Sequence, residues 1–322
     1  MPARPQPPIR RLTQCLAVIG SIFVLWSLWA ASMAIAASDD VTRIASPARI
    51  VSLNPSLTAI VVRLDAIEVL VGVDEYSAEL IEDVVGLPRL GGLFDPSLES
   101  VLALRPDRVL MVAGIDQQNH GRRLESLGIE VEVFENERLD QVLENIDRLG
   151  LMLGRTKRAD ARIQAILGMR RAVVAAVEGQ TRPSTLAVVD RSPLFLVGAD
   201  TFIDEMLKIV GARNLAVALG KGYPRGSIEW VIGAKPELLL DMTPGGEDSH
   251  AFWSRWPSLP AVKKGRILTL DASRISMPGP DLDRALRELA IAVHGVEIDA
   301  VIEKELAGLM AASSQWSGTA GQ

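Results

Sequence analysis

Residues 97–110 read SLESVLALRPDRVL, and residues 227–240 read SIEWVIGAKPELLL. Laid over each other at an offset of 130, the Ser, the Glu two residues on, the Val, the Pro and the final Leu coincide. Most remaining pairs are conservative, such as Leu98 with Ile228, Arg105 with Lys235 and Asp107 with Glu237. Gly92 and Gly222 each stand five residues before the serine. Each copy predicts a helix, a Pro-acid turn and a strand. A repeat at this distance means two lobes of one design.

Working outward, strand-like and helix-like segments alternate. Arg49–Leu53, Val69–Val73, Val109–Ala113 and Ile129–Phe134 are short β-rich runs. Val142, Leu143, Ile146, Leu149 and Leu153 then recur at helical spacing. A second helical run holds Ile163, Ile166, Leu167, Val173 and Val177 and stops at Gly179. The pattern restarts with strands at Leu186–Asp190, Leu238–Asp241 and Ile267–Leu270, and helices at Phe202–Gly211 and Asp281–Val293. Such alternation predicts an α/β fold whose parallel sheets are covered by helices on both faces. The expected organisation is a lobe over 45–154, a connecting helix over 155–180, a lobe over 181–310 and a loose Ser/Gly-rich tail over 311–322.

The chain has 322 residues and a net charge of −6. Its first 36 residues hold three arginines and no acid, so the remainder carries −9. Phosphate contacts need clustered Lys and Arg, which argues against nucleic acid as a partner. The single cysteine, Cys15, leaves the rest without a disulfide, a Cys-ligated zinc or a thiol nucleophile. His120, His250 and His294 are scattered, which disfavours a His-rich metal site. No G-x-S-x-G elbow, H-E-x-x-H, Walker A or dinucleotide fingerprint occurs, so the expectation is a binder and not an enzyme. A secreted α/β enzyme or a ligand sensor remains the rival class, since a doubly wound fold does not fix function.

The N-terminus reads as an address. A basic, Pro-rich start precedes the uncharged run CLAVIGSIFVLWSLWAA and then Ala34-Ile35-Ala36. This is the order of a secretory signal peptide over 1–36, cut after Ala36, which places the mature protein in the periplasm. The same run is long enough for an uncleaved anchor. Cys15 opens the apolar run, whereas a lipoprotein cysteine would close it.

The chain resembles the substrate-binding proteins of ABC importers for iron-siderophores and cobalamin. RIVSLNPSLTAIVVRLDAIEVLVGVDEYS matches the family's opening strand–loop–helix, and GGLFDPSLESVLALRPDRVL matches its GG-x-x-x-P-x-LE segment. In the second lobe FIDEMLKIVGARNL, the repeat copy, WPSLPAVKKGRILTLD and ISMPGPDLDRALRELA match in order. It departs at Ala59, where the family commonly carries Glu, and at Met277, where Arg commonly precedes Pro-Gly-Pro. The resemblance implies the class III periplasmic-binding fold: two Rossmann-like lobes with parallel sheets joined by one long helix, and a ligand between them. It implies a monomer that captures a metal chelate, cobalamin or a ferric siderophore, needs no cofactor of its own, and delivers the chelate to an ABC permease in the inner membrane. Heme and bare metal are the alternatives within the same fold.

The same resemblance assigns residues. Glu99 and Glu229 match the glutamates that dock on permease arginines, a pairing suited to forked charge-assisted bonds. An acid in a first helical turn also simply complements the helix dipole, worth about 0.3–1 kcal/mol. Tyr76 and Tyr223, the only tyrosines, fall where cobalamin-binding members carry aromatics. A tyrosine face can stack on a chelate while its hydroxyl reaches a polar edge, and packing tyrosines are the plainer reading. Leu93 stands at another such aromatic place. Heme-binding members put an iron-ligating Tyr where this chain has Gly92. Asn54 and Ser56, before a helix, are candidates for holding an anionic or carbonyl group on free N–H donors. Asp190 and Arg191 are their second-lobe counterparts, and Arg274 is a candidate partner for a ligand carboxylate or phosphate.

Overall fold

A computed structural model describes residues 48–243, 248–270, 275 and 277–319. The expected signal peptide and Arg274 lie outside the described residues. In chain order the first lobe holds β1 (Ile50–Ser52), α1 (Pro55–Arg63), β2 (Leu70–Val73), α2 (Glu75–Leu80), α3 (Leu98–Ala103), β3 (Arg108–Val112), α4 (Ile115–Ser126), β4 (Glu130–Phe134) and α5 (Leu139–Met152). A 21-residue helix, α6 (Thr156–Ala176), leads to the second lobe. That lobe holds β5 (Ser184–Arg191), β6 (Leu194–Leu196), α7 (Phe202–Ile209), β7 (Arg213–Asn214), α8 (Ile228–Ala234), β8 (Leu238–Asp241), α9 (Ser249–Trp253), α10 (Pro260–Lys263), β9 (Ile267–Thr269), α11 (Leu282–His294) and α12 (Glu297–Thr319).

The first sheet is parallel throughout, in the order β2-β1-β3-β4. The second runs β6-β5-β8-β9, with β7 also on β5. Its one antiparallel pair, β5 with β6, is a hairpin edge that the alternation did not announce. The central strands β1, β3 and β8 are buried on both faces and read as near-continuous aliphatic runs, whereas the edge strand β4 alternates Glu and Val and is partly exposed. Ile50 and Leu110 point to one cluster while Val51, Val109 and Met111 point to another, and the same alternation separates Ala187 from Leu186 and Val188.

The two copies of the repeat fold alike. Ser97 and Ser227 are N-caps of α3 and α8, each accepting a backbone N–H three residues on, at 3.3 and 3.2 Å. Arg105 and Lys235 both turn the chain in the left-handed region, at φ 47° and 52°. The acid after the proline then ties each unit to its sheet: Asp107 accepts from Arg49 N at 2.7 Å, and Glu237 from Ser184 N at 3.1 Å. Ser184 and Lys264 hold the Glu237 carboxyl down at about 2.

A single buried cluster joins the lobes. It runs from Leu57 and Ile60 through Val142 and Leu149, along Ile166, Met169 and Val173 of α6, to Leu207, Leu286 and Leu289. Polar ties follow the same seam. Leu139 N donates to Glu205 at 2.9 Å, and Arg63 pairs with Asp281. Arg162 of α6 pairs with Asp283 and also donates to Pro280 O at 2.5 Å. The tail expected to be loose from residue 311 instead continues α12 to Thr319. Ile298 and Ile302 bury against the central cluster and seat this helix, a stripe that the Ser/Gly composition of the last residues hides. Among the described residues no helix is long and apolar enough to cross a membrane.

Candidate functional site between the lobes

Parallel α/β sheets bind ligands beyond the carboxyl ends of their strands. At the ends of β1 and β2 stand short helices, α1 and α2, capped by Asn54 and Asp74. At the end of β2, Asp74 is fully buried and caps α2 by accepting from Ser77 N at 3.0 Å. Its carboxylate also bonds the Ser77 hydroxyl, which meets Thr58 Oγ1 at 2.9 Å, and Thr58 reaches Ser52 Oγ at 2.8 Å. Desolvation raises the Asp74 carboxyl above its ordinary value, against the lowering bonds from Ser77. This buried chain fixes the first turn of α2, where Tyr76 stands 47% exposed.

The second lobe presents its tyrosine differently. Gly198 N donates to Gly222 O at 2.8 Å, Ala199 N to Gly220 O at 2.8 Å, and Gly222 N to Ala199 O at 2.9 Å. A Cβ at Gly198 would meet Gly220 O at 2.5 Å and Pro224 Cδ at 2.7 Å, so this close approach demands glycine. The strip leaves Tyr223 50% exposed, lining an open cavity of about 530 Å³. Asn136 and Glu137 of the first lobe form one wall; Asp200, Thr201, Lys221 and Tyr223 form the other, with Pro278 between. Although half its surface meets solvent, desolvation and then the negative charge of Glu137 raise the Tyr223 phenol. A second interlobe cavity of about 270 Å³ is lined by Leu80 at the end of α2, by Met277 and Gly279, and by Arg284 on α11.

Of the residues nominated from sequence that lie among the described ones, Tyr223 alone lines either cavity. Leu93 is half-buried in its loop. Asn54 spends its side chain as the cap of α1, accepting from Ser56 N at 2.9 Å, and Ser56 is buried. The N–H expected to be free for a ligand is therefore taken. Asp190 accepts from Ser192 N at 3.0 Å and shapes its own turn. Arg191 turns inward: its Nε lies 3.2 Å from both Asp241 Oδ2 and Thr243 Oγ1, with the guanidinium over Phe252. The buried Asp241 carboxylate also accepts from Trp253 Nε1 at 2.7 Å, so this cluster supports the floor of the lobe. Sequence reading passed over Asn136, Glu137, Asp200 and Lys221, which reach the cavity only through tertiary folding.

Glu99 and Glu229 are exposed in the first turns of α3 and α8. Neither has an ion-pair partner among the described residues. A bond from its own backbone N–H, followed by one from Ser227, lowers the Glu229 carboxyl. Among the described residues no group of three or more His, Cys, Asp or Glu stands together to hold a metal ion.

A family model described as periplasmic binding protein matches residues 50–273, and the chain belongs to that family. An ABC transporter substrate-binding lipoprotein of Bacillus subtilis is 28% identical over 274 residues, covering 80% of this chain and 84% of its own. A vitamin B12-binding protein of Vibrio vulnificus is 23% identical, covering 72% of this chain and 85% of its own. The apo structure of a periplasmic heme-binding protein from Roseiflexus sp. RS-1 superposes with a TM-score of 0.69 at 25% identity, over 80% of this chain and all of that one.

Proposed function

We propose that this chain is the periplasmic solute-binding component of an ABC importer, and that its solute is a metal chelate, cobalamin before a ferric siderophore. The observation that carries this reading is the pair of tyrosines, one on each lobe, held half-exposed at strand-end positions by rigid local hydrogen bonding. Exposed rings on stiff supports suit a broad, flat ligand, because little side-chain freedom is lost on contact. With no metal-ligating cluster among the described residues, the metal would arrive already coordinated. Vitamin B12-binding relatives across most of the chain support the same choice. Glu99 and Glu229 are the docking points for the permease, one per lobe, and the mature protein begins after Ala36.

Heme is the second reading, favoured by the heme-binding neighbour at 25% identity. Titration of the purified protein with cobalamin, ferric siderophores and hemin, followed by Trp and Tyr fluorescence, separates them. Saturable quenching by a chelate is the expected result. A response to free zinc or manganese, with none to any chelate, would refute the proposal.

A further inference from the structure

The cavity at Tyr223 has an uneven charge balance. Among the described residues, its wall carries Glu137, Asp200 and Lys221 as charged groups. Lys221 Nζ sits 2.8 Å from Asp200 Oδ2, so those two cancel. Arg138, next in sequence to Glu137, forks onto Asp140 with Nε–Oδ1 at 3.0 Å and Nη2–Oδ2 at 2.6 Å. The hydroxyl of Thr201 is committed to Gly198 O and Asp204 N, at 3.3 and 3.1 Å. Glu137 has no hydrogen bond or ion pair among the described residues. Among the described lining residues, the groups left open to a ligand are thus the Glu137 carboxylate, the Asn136 amide and the Tyr223 hydroxyl.

Resting on the chelate reading above, we propose that Glu137 is the charge selector of this cleft: it favours chelates that present amide or ammonium hydrogens at the Tyr223 end and disfavours those that present carboxylates or catecholates. A carboxylate accepts hydrogen bonds and donates none, so amide N–H groups find a charge-assisted partner there. A ligand carboxylate would meet like charge across a few ångströms, with Lys221 already engaged by Asp200. After desolvation, the negative charge of Glu137 also raises the Tyr223 phenol, in keeping with both groups lining the same cavity.

The test compares parent, Glu137→Gln and Glu137→Asp in titrations with cyanocobalamin, an uncharged ferric trihydroxamate, a triply anionic ferric tricatecholate and hemin. Glu137 is exposed, so the variants should melt with the parent, which thermal unfolding checks. Glu137→Gln should tighten the two anionic chelates relative to the two uncharged ones by about five- to tenfold, the scale of one unit-charge repulsion across a wet cleft. That gain should shrink as salt rises. Glu137→Asp should keep the parent's ranking. An unchanged anionic-to-uncharged ratio in Glu137→Gln would overturn the selector while leaving the chelate reading intact. Silence from every chelate in all three proteins would overturn that reading, and this inference with it.

Discussion

Removing the ring of Tyr223 tests the cleft most directly. An aromatic side chain buries roughly 200 Å² when fully covered. Tyr223 is 50% exposed, so a ligand lying on it would cover about 100 Å². At ~25 cal/mol per Å² that is worth about 2.5 kcal/mol, less some fraction for the hydroxyl edge. Tyr223→Ala should therefore raise Kd for the chelate by roughly ten- to sixtyfold. Isothermal titration calorimetry with cyanocobalamin would measure it, with unchanged thermal melting as the control. Tyr76, 47% exposed on the other lobe, should lose a similar amount, and the double variant should lose about the sum. Parent-like affinity in both single variants would refute the placement of the ligand between the rings.

Charge reversal at Glu99 or Glu229 should abolish uptake in cells carrying the importer while leaving chelate titration intact, since a like-charge contact costs far more than a lost rim bond; equal loss of chelate binding would exclude docking as their role. Asp74 should give a pH signature. Its folded carboxyl lies above the unfolded value of 3.8, so the native state holds the proton more tightly and stability falls as pH rises through that interval. Asp74→Asn keeps the capping oxygen without the charge and should melt above the parent at pH 7, whereas Asp74→Ala should lose about 1 kcal/mol with the cap; superimposed pH–stability curves for parent and Asp74→Asn would contradict this. Mass spectrometry of the exported protein should find an N-terminus at Ala37 or Ser38, and a full-length membrane-retained form would favour the anchor.

The repeat was legible because it is written in local rules: a Ser cap, an acid in the first turn, a proline before the strand. Strands β3 and β8 were legible because burial on both faces turns them into aliphatic runs, and β4 because its Glu–Val alternation has the period of a half-exposed edge strand. Helix α4 was not, since IDQQNHGRRLES shows no apolar stripe, and among its described side chains Leu124 is the one in the buried clusters. Hairpin β5–β6 hid behind Ser192-Pro193, which reads as a loop. Site residues fared by a similar logic. Tyr223 stood out by rarity, whereas Glu137 is one of many loop acids and gains meaning only where Lys221 and Tyr223 meet it across the cleft. Arg191 misled because a strand-end arginine resembles a ligand contact until its partner, Asp241, is seen beneath it.

Each sheet closes within its own stretch of chain, but part of the surface of α6 is covered by α12, whose Ile298 and Ile302 join the same buried cluster as Ile166 and Met169. Helix α12 thus closes a seam that neither sheet closes. A chain that forms from its N-terminus onward would therefore complete both sheets before this apolar seam is covered. A stop codon before residue 297 would strand the product in the same state, prone to self-association however well each sheet had formed.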